Sequence, residues 1–328
     1  IDEVSMIDIH LLDSLFNQPL PFLDNIQFKA SNLVNKSGEY IGASEANLYE
    51  FEQNFAEFVV KQKELNFLSG EMGLSWGQRN VHGKGYARYL PNVKTNRQAF
   101  FIQEKLSFNP IYFDAGYRKE KVEHQIQDQT FVLARNANNQ KLENRDFDLT
   151  QFYVGAGLNW GEHVHIYAKY SESERTPEIN ELYSSNPHYS VMTQEEGNQN
   201  LEKEKVKAME LNTDFAFDQS RIQLSLYQMD FTNYVYLMHS GMAMGNRLPL
   251  KYWRQTDVKI DGFEIDLSYK FLLDQWGDLT LSAFGDFVKN RVKDTKKLQS
   301  SNDGEYPTNM PTNRYGASLE WEKDDYHI

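Results

Sequence analysis

Segments of about ten residues that are apolar on one side only recur along this chain, joined alternately by short turns and by long polar excursions. The clearest unit begins at the short turn Asn159-Trp160-Gly161-Glu162. Val164, Ile166, Ala168 and Tyr170 then alternate with His163, His165, Tyr167 and Lys169, before the pattern dissolves into a polar stretch carrying a Thr-Pro and an Asn-Pro. Pattern returns near Lys205. Met209, Leu211, Thr213, Phe215 and Phe217 follow, and a brief Asp218-Gln219-Ser220-Arg221 turn feeds Ile222, Leu224 and Leu226.

The same unit recurs on both sides of this stretch. Upstream, Gln18-Pro19-Leu20-Pro21 stops a first, poorly patterned segment, and Ile26, Phe28 and Ala30 alternate after it. Between Leu48 and Lys61, the side chains Phe55, Phe58 and Val59 share one face only if a bulge intervenes. Gly70, Met72, Leu74 and Trp76 mark the next strand, and the Phe108-Asn109-Pro110 turn joins two more. A shift of face is expected at Tyr153 and another at Gly262. The stretches around Gly38 to Gly42, Gln78 to Asn96, Lys119 to Asn144, Met238 to Arg254 and Lys289 to Asn313 read as loops.

A β-sandwich would scatter its long loops over both ends, and a propeller would repeat about every 40 residues. Strict alternation instead predicts an all-β fold, an antiparallel transmembrane β-barrel with short periplasmic turns and long extracellular loops. Composition agrees: the chain is 14% aromatic, its mean hydropathy is -0.66, and no run approaches the roughly 18 apolar residues of a spanning helix. A secreted or surface β-rich binding or adhesion protein is the reading of another class. No cysteine is present, which removes thiolate metal sites and thiol nucleophiles, and the net charge of -13 argues against nucleic acid as a partner. About 13 strands are expected, an odd number, against 22 in a complete plugged barrel. The chain opens Ile1-Asp2-Glu3 and closes on charges, so residues 1–328 are expected to be an interior part of the barrel domain, with the signal peptide, plug and closing C-terminal strands lying elsewhere.

The run from Ser173 to Glu204 carries R-x-P, E-L-Y, a His in a stretch of small residues, a Thr, and G-N-x-x-L-x-x-E, at Arg175, Pro177, Glu181-Leu182-Tyr183, His188, Thr193, Gly197-Asn198, Leu201 and Glu204. It resembles a segment common among TonB-dependent outer-membrane receptors. The Asn17 to Pro21 hairpin, the Gly73 to Trp76 strand, Y-Q-M-D-F-T-N-Y-V-Y from Tyr227 to Tyr236 and V-K-I-D-G-F-E from Val258 to Glu264 are similar to the ZnuD-type zinc receptors within that family. The resemblance implies import across the bacterial outer membrane. A ligand is captured by outer loops, held above a plug, and released when TonB of the TonB-ExbB-ExbD complex pulls on that plug. Zinc is the implied cargo, with haem or a ferric siderophore as alternatives. No resident cofactor is implied, and outer-membrane lipid and lipopolysaccharide are the surroundings.

Without thiolates, zinc needs imidazole and carboxylate. Among the eight His, His188 is the leading candidate, with Glu172, Glu174, Glu195 and Glu196 nearby in sequence. His82, His124 and His239 fall in different expected outer loops, and Met238, Met242 and Met244 around His239 suit a softer ion or haem. An Arg/Tyr stretch, Gly85 to Tyr89, is a candidate clasp for an anionic ligand. His163 and His165 read as hydrogen-bonded residues at the short-turn rim. The candidate metal set is therefore His188, Glu174, Glu195, His239 and His82. G-x-S-x-G, H-E-x-x-H and the phosphate-binding G-x-x-x-x-G-K-S/T are all missing, so an enzyme is not expected.

Overall fold

The computed structural model describes residues 2–131, 133, 141–245, 247–293 and 312–327. Among these, sixteen strands form one sheet. Its first eight are β1 (Asp2–Asn17), β2 (Leu23–Ile41), β3 (Ser44–Gln62), β4 (Leu68–Lys84), β5 (Val93–Phe108), β6 (Ile111–Ile126), β7 (Arg145–Trp160) and β8 (Val164–Arg175). An excursion holding the short β9 (Pro187–His188) and β10 (Thr193–Glu196) follows. The wall resumes with β11 (Glu204–Phe217), β12 (Ser220–Ala243), β13 (Pro249–Leu272), β14 (Asp278–Val292), β15 (Arg314–Lys323) and the two-residue β16 (Tyr326–His327). Neighbours in sequence pair antiparallel from β1 to β8, β11 pairs with β8, and the order continues to β16. Among the described residues β1 and β16 do not pair with each other, so the sheet is open.

Five of the long strands, β4, β5, β6, β7 and β13, change their apolar face part-way along. In β6, Phe113 and Tyr117 are exposed on the outer face, while Val122, His124 and Ile126 on the alternate face are buried. β4 repeats this with exposed Leu74 and Trp76 and buried Val81, β5 with Phe100 and Val93, β7 with Phe152 and Phe147, and β13 with Phe263 and Val258. Near the short turns, therefore, the outer face is apolar and the inner face polar, with Lys169 paired to Glu210 at 3.2 Å and Arg221 to Asp214 at 2.6 Å. Near the long connections the inner face is apolar and closes a core of Val81, Leu90, Val93, Val122, Phe147 and Leu149 against Ile179, Leu182, Tyr183 and Leu201 of the excursion. A continuous exposed apolar belt of this size is a lipid-facing surface, not the scattered apolar exposure of a water-soluble monomer.

That exchange of faces explains where sequence patterning faltered. The change of face expected at Gly262 is present, with Val258 buried and Phe263 exposed on the other side, along a ladder with β14 that is uninterrupted from Val258 to Leu272. β7 likewise runs regularly against β6 through Tyr153. No bulge lies between Leu48 and Lys61 against β4, because Phe58 belongs to the outer belt and Val59 to the other face. Bulges do occur in β12, between Phe231 and Tyr234 and between His239 and Ala243.

Several expected loops are strand. β12 and β13 are 24 residues each, roughly 80 Å at about 3.4 Å per residue, whereas 9–11 tilted residues cross a bilayer. Their upper halves stand clear of the membrane as a hydrogen-bonded hairpin. His82 lies on β4, His124 on β6 and His239 on β12, so none of the three sits in a loop. The expectation failed because above the belt the inner face mixes apolar residues such as Val81, Val93 and Val122 with buried polar ones such as Thr95 and His124, and the outer face is polar, so hydropathy marks no strand there. Parts of the expected loops beyond Ile126 and Val292 lie outside the described residues.

On the inner wall, tyrosines lie flat over glycines of the next strand. A Cβ at Gly157 would stand 2.1 Å from the Tyr112 ring, at Gly116 2.2 Å from Tyr153, and at Gly262 2.4 Å from Tyr227. Tyr112 is itself stacked between Tyr167 (6.0 Å) and His165 (6.2 Å), with the Lys105 ammonium 4.2 Å above its ring. The ring can yield to a new methyl only by leaving that stack. Gly157→Ala is expected to lower stability by about 1–3 kcal/mol, read as a lower melting temperature of the heat-modifiable folded band on semi-native gels.

Candidate functional site

Residues 176–203, between β8 and β11, form the inward excursion. Closing a loop of roughly 28 residues costs about 3 kcal/mol beyond a constant, so it must be tied down to hold one shape. Its root supplies the tie. Arg175 Nη1 donates to Glu181 Oε2 at 2.9 Å and its Nη2 to Glu204 Oε2 at 3.3 Å, joining the start, middle and end of the segment. Glu204 Oε2 also accepts the Val235 N–H at 2.8 Å.

A five-residue helix α1 (Ile179–Tyr183) follows Pro177 and the extended N-cap residue Glu178. Glu178 and Glu181 form its capping box, the Glu178 N–H donating to Glu181 Oε2 at 2.7 Å. The chain returns over this helix. The Gly197 N–H donates to Ser184 O at 2.7 Å and the Asn198 N–H to Glu181 O at 2.9 Å. At Gly197 a Cβ would lie 2.6 Å from Tyr183 N and 2.7 Å from Leu182 O, backbone atoms that cannot move aside. The motif residues Arg175, Pro177, Glu181, Tyr183, Gly197 and Glu204 are thus one folding unit, with Leu182 and Tyr183 fully buried and the Tyr183 hydroxyl donating to Glu143 O at 2.8 Å.

Wall residues hold the unit from several sides. Glu178 takes Arg79 Nη2 at 2.7 Å and Arg97 Nη2 at 3.1 Å. Arg145 donates to the carbonyls of Gln199 and Leu201. The Ser185 N–H donates to Tyr89 O at 2.8 Å, and Asn186 Nδ2 to Arg88 O at 3.0 Å. Glu39 Oε1, near the top of β2, accepts the Ser190 N–H at 2.8 Å. On the other side, β10 adds parallel to β13, Gln194 opposite Leu250 and Glu196 opposite Tyr252. The excursion therefore crosses the inner space from β2 to β13. Burial pushes the Glu181 carboxyl above its ordinary value in spite of Arg175. Burial acts upward on Glu178 too, but Arg79 and Arg97 outweigh it and hold that carboxyl below the ordinary range.

The tip carries the candidate ligand group. The His188 ring stacks on Tyr89 with centroids 4.1 Å apart and planes at 16°. Its Nδ1 is 3.6 Å from Glu195 Oε1 and has no hydrogen-bond partner. Thr193, opposite His188 across β9 and β10, donates its hydroxyl to Glu195 at 3.3 Å. Burial, with Glu195 and Glu39 adding to it, pushes the Tyr89 hydroxyl up to about 12. The structure thus joins His188 and Glu195 with Tyr89, the end of the expected Gly85 to Tyr89 clasp, and adds Glu39, which no local sequence signal marked.

The other candidates lie apart. Glu174 is committed to Lys203 at 2.6 Å, Lys205 at 3.0 Å and the Thr150 N–H at 2.9 Å. His82 is exposed beside buried Val81, and His239 is exposed beside buried Met238. Met238 and Met244 pack with Leu250 and Tyr252 in an apolar cluster. Of the Gly85 to Tyr89 stretch, Arg88 pairs with Asp128 and Tyr89 joins the tip. His163 Nδ1 donates to Ala216 O at 2.9 Å and His165 Nδ1 to Asn159 Oδ1 at 2.5 Å, beside the short turns. No group of three or more His, Asp or Glu that could hold a metal ion is assembled among the described residues.

The model of the family described as TonB dependent receptor-like, beta-barrel, matches residues 14–327. The chain belongs to that TonB-dependent receptor family. Solved structures with the same fold include the copper transporter OprC (TM-score 0.76, 13% identity, 99% of this chain and 52% of that one). The FrpB iron transporter from Neisseria meningitidis, F3-3 variant, gives 0.67 at 12% identity, over 98% of this chain and 49% of its own. The Serratia marcescens hemophore receptor HasR, a double mutant in complex with its hemophore HasA and heme, gives 0.67 at 14%, over 98% and 56%. This TonB-dependent receptor chain spans about half the length of the structures it matches.

Two outcomes are expected. Gly197→Ala should release the excursion while leaving the wall folded, read as faster trypsin cleavage after Lys203 with an unchanged heat-modifiable band. Glu178, whose folded-state value is depressed, stabilises docking above the ordinary carboxylate range of about 4.3 and loses that contribution as pH falls through its lowered value. Protease sensitivity of the excursion should accordingly rise below about pH 4, and Glu178→Gln should flatten that dependence.

Proposed function

We propose that this chain is the larger part of the wall of an outer-membrane active-transport receptor that binds and imports a scarce metal nutrient, with zinc as the cargo. Import is driven by TonB of the TonB-ExbB-ExbD complex acting on a plug domain that belongs to the same protein outside residues 1–328. The observation that carries the reading is the His188 tip: an imidazole with an unpartnered Nδ1, facing a carboxylate, held above the inner space by a buried, tied excursion. Imidazole and carboxylate are the zinc donors left to a chain without cysteine. Two donors make a capture point, and a complete coordination sphere draws its remaining ligands from water or from protein outside this chain. Copper, iron and haem, named for proteins of the same fold, are the competing cargoes.

The test is growth of a strain lacking its own zinc receptor on zinc-chelated medium, carrying the full-length gene. Rescue by zinc is expected, and His188→Ala should weaken it about tenfold in the zinc concentration needed for half-maximal growth, as the loss of roughly 1.4 kcal/mol of capture. Rescue on haem as sole iron source, without rescue on zinc, replaces zinc by haem.

A further inference from the structure

The tip of the excursion gathers buried acceptors that no lysine or arginine answers. Glu39 and Glu195 are each 8% exposed, and among the described residues neither forms an ion pair with a lysine or arginine. Glu39 Oε2 accepts the side-chain amide of Asn47 at 2.7 Å, from directly across the β2–β3 hairpin, and its Oε1 accepts the Ser190 N–H at 2.8 Å. Because the carboxylate takes the amide nitrogen, Asn47 Oδ1 is left as an acceptor without a donor in a residue only 1% exposed. His188 Nδ1 is likewise without a hydrogen-bond partner. Both carboxylates act on the Tyr89 hydroxyl, whose ring stacks on His188, and His188 acts in turn on Glu39. Burial works against the Glu39 charge, but the Asn47 and Ser190 hydrogen bonds outweigh it and hold the carboxyl below its ordinary value. Two desolvated negative charges without a counter-charge are costly, and a cation relieves that cost. An anionic complex arriving at the same place adds to it.

We propose that Glu39 is a specificity-determining residue of the His188 tip: its buried charge, delivered by a separate hairpin, selects a free aquated dication over metal carried inside an anionic complex such as haem or a ferric siderophore. The inference rests on the metal-capture reading above and deepens it. Both Glu39 oxygens are already engaged, so Glu39 acts through its charge, while His188 and Glu195 offer the contacts.

The test measures binding by the full-length receptor, purified in detergent and stripped of metal, with Zn2+ alone and haemin alone as probes. Wild-type protein should bind Zn2+ more tightly than haemin by about tenfold or more, a comparison that needs no variant to fold. Glu39→Gln keeps an acceptor for the Ser190 N–H, and its new amide can donate to Asn47 Oδ1, so the excursion should stay docked with trypsin cleavage after Lys203 unchanged. Zn2+ affinity in that variant should nevertheless fall about fivefold or more, while haemin affinity holds or rises. Unchanged Zn2+ affinity, a loss shared equally by Zn2+ and haemin, faster cleavage after Lys203, or tighter binding of haemin than of Zn2+ by wild-type protein overturns the role of Glu39. In each of those cases His188→Ala still tests Zn2+ capture by itself. Wild-type protein that binds no Zn2+ overturns both.

Discussion

A strand inside a bilayer has no water to satisfy its backbone, so pairing on both edges comes before any question of side chains. In this chain that requirement is met by uninterrupted antiparallel ladders, β4 with β5 from Leu68 to Val81 and β13 with β14 from Val258 to Leu272. With the backbone satisfied, each side chain is free to answer to whatever lies beside it. Lipid lies outside in the lower part, and the inward excursion lies inside in the upper part. The change of apolar face along β4, β5, β6, β7 and β13 follows from those two neighbours.

The excursion is the mirror of that wall. Its helix α1, at five residues, is too short to persist alone; it is held because Ile179, Leu182 and Tyr183 complete the core that the upper wall begins. Arg175, Glu181 and Glu204 then fix its ends with charge-assisted hydrogen bonds, the two carboxylates mostly buried and the guanidinium half-exposed. The recurring residues of this segment are accounted for by its folding, and His188 stands out as the one whose ring nitrogen that folding leaves without a partner.

Strand periodicity and the alternation of connections sufficed for the architecture, because lipid enforces period-two patterning over the lower half of every strand. They did not suffice above the belt. There the apolar residues move to the other face, a change that the sequence shows at Gly262, whereas Phe55, Phe58 and Val59 suggested a bulge where the ladder is regular. At the candidate site, His188 and Glu195 were legible because they sit seven residues apart in one segment. Arg79, Arg97 and Glu39 were not, nor was the meeting of Tyr89 with His188: Arg79 and Glu178 are 99 residues apart, and only the curling of the sheet around the excursion brings them together.

The root and tip of the excursion are held by different means. The root is an ion cluster of two mostly buried carboxylates around a half-exposed Arg175, over a packed helix, whereas residues 186–196 are attached through Glu39 to Ser190, Arg88 to Asn186, and a three-residue ladder to β13. A ligand arriving at His188 therefore meets a tip whose position is inherited from its root, because the register set there brings the imidazole to its seat on Tyr89 without a search of its own.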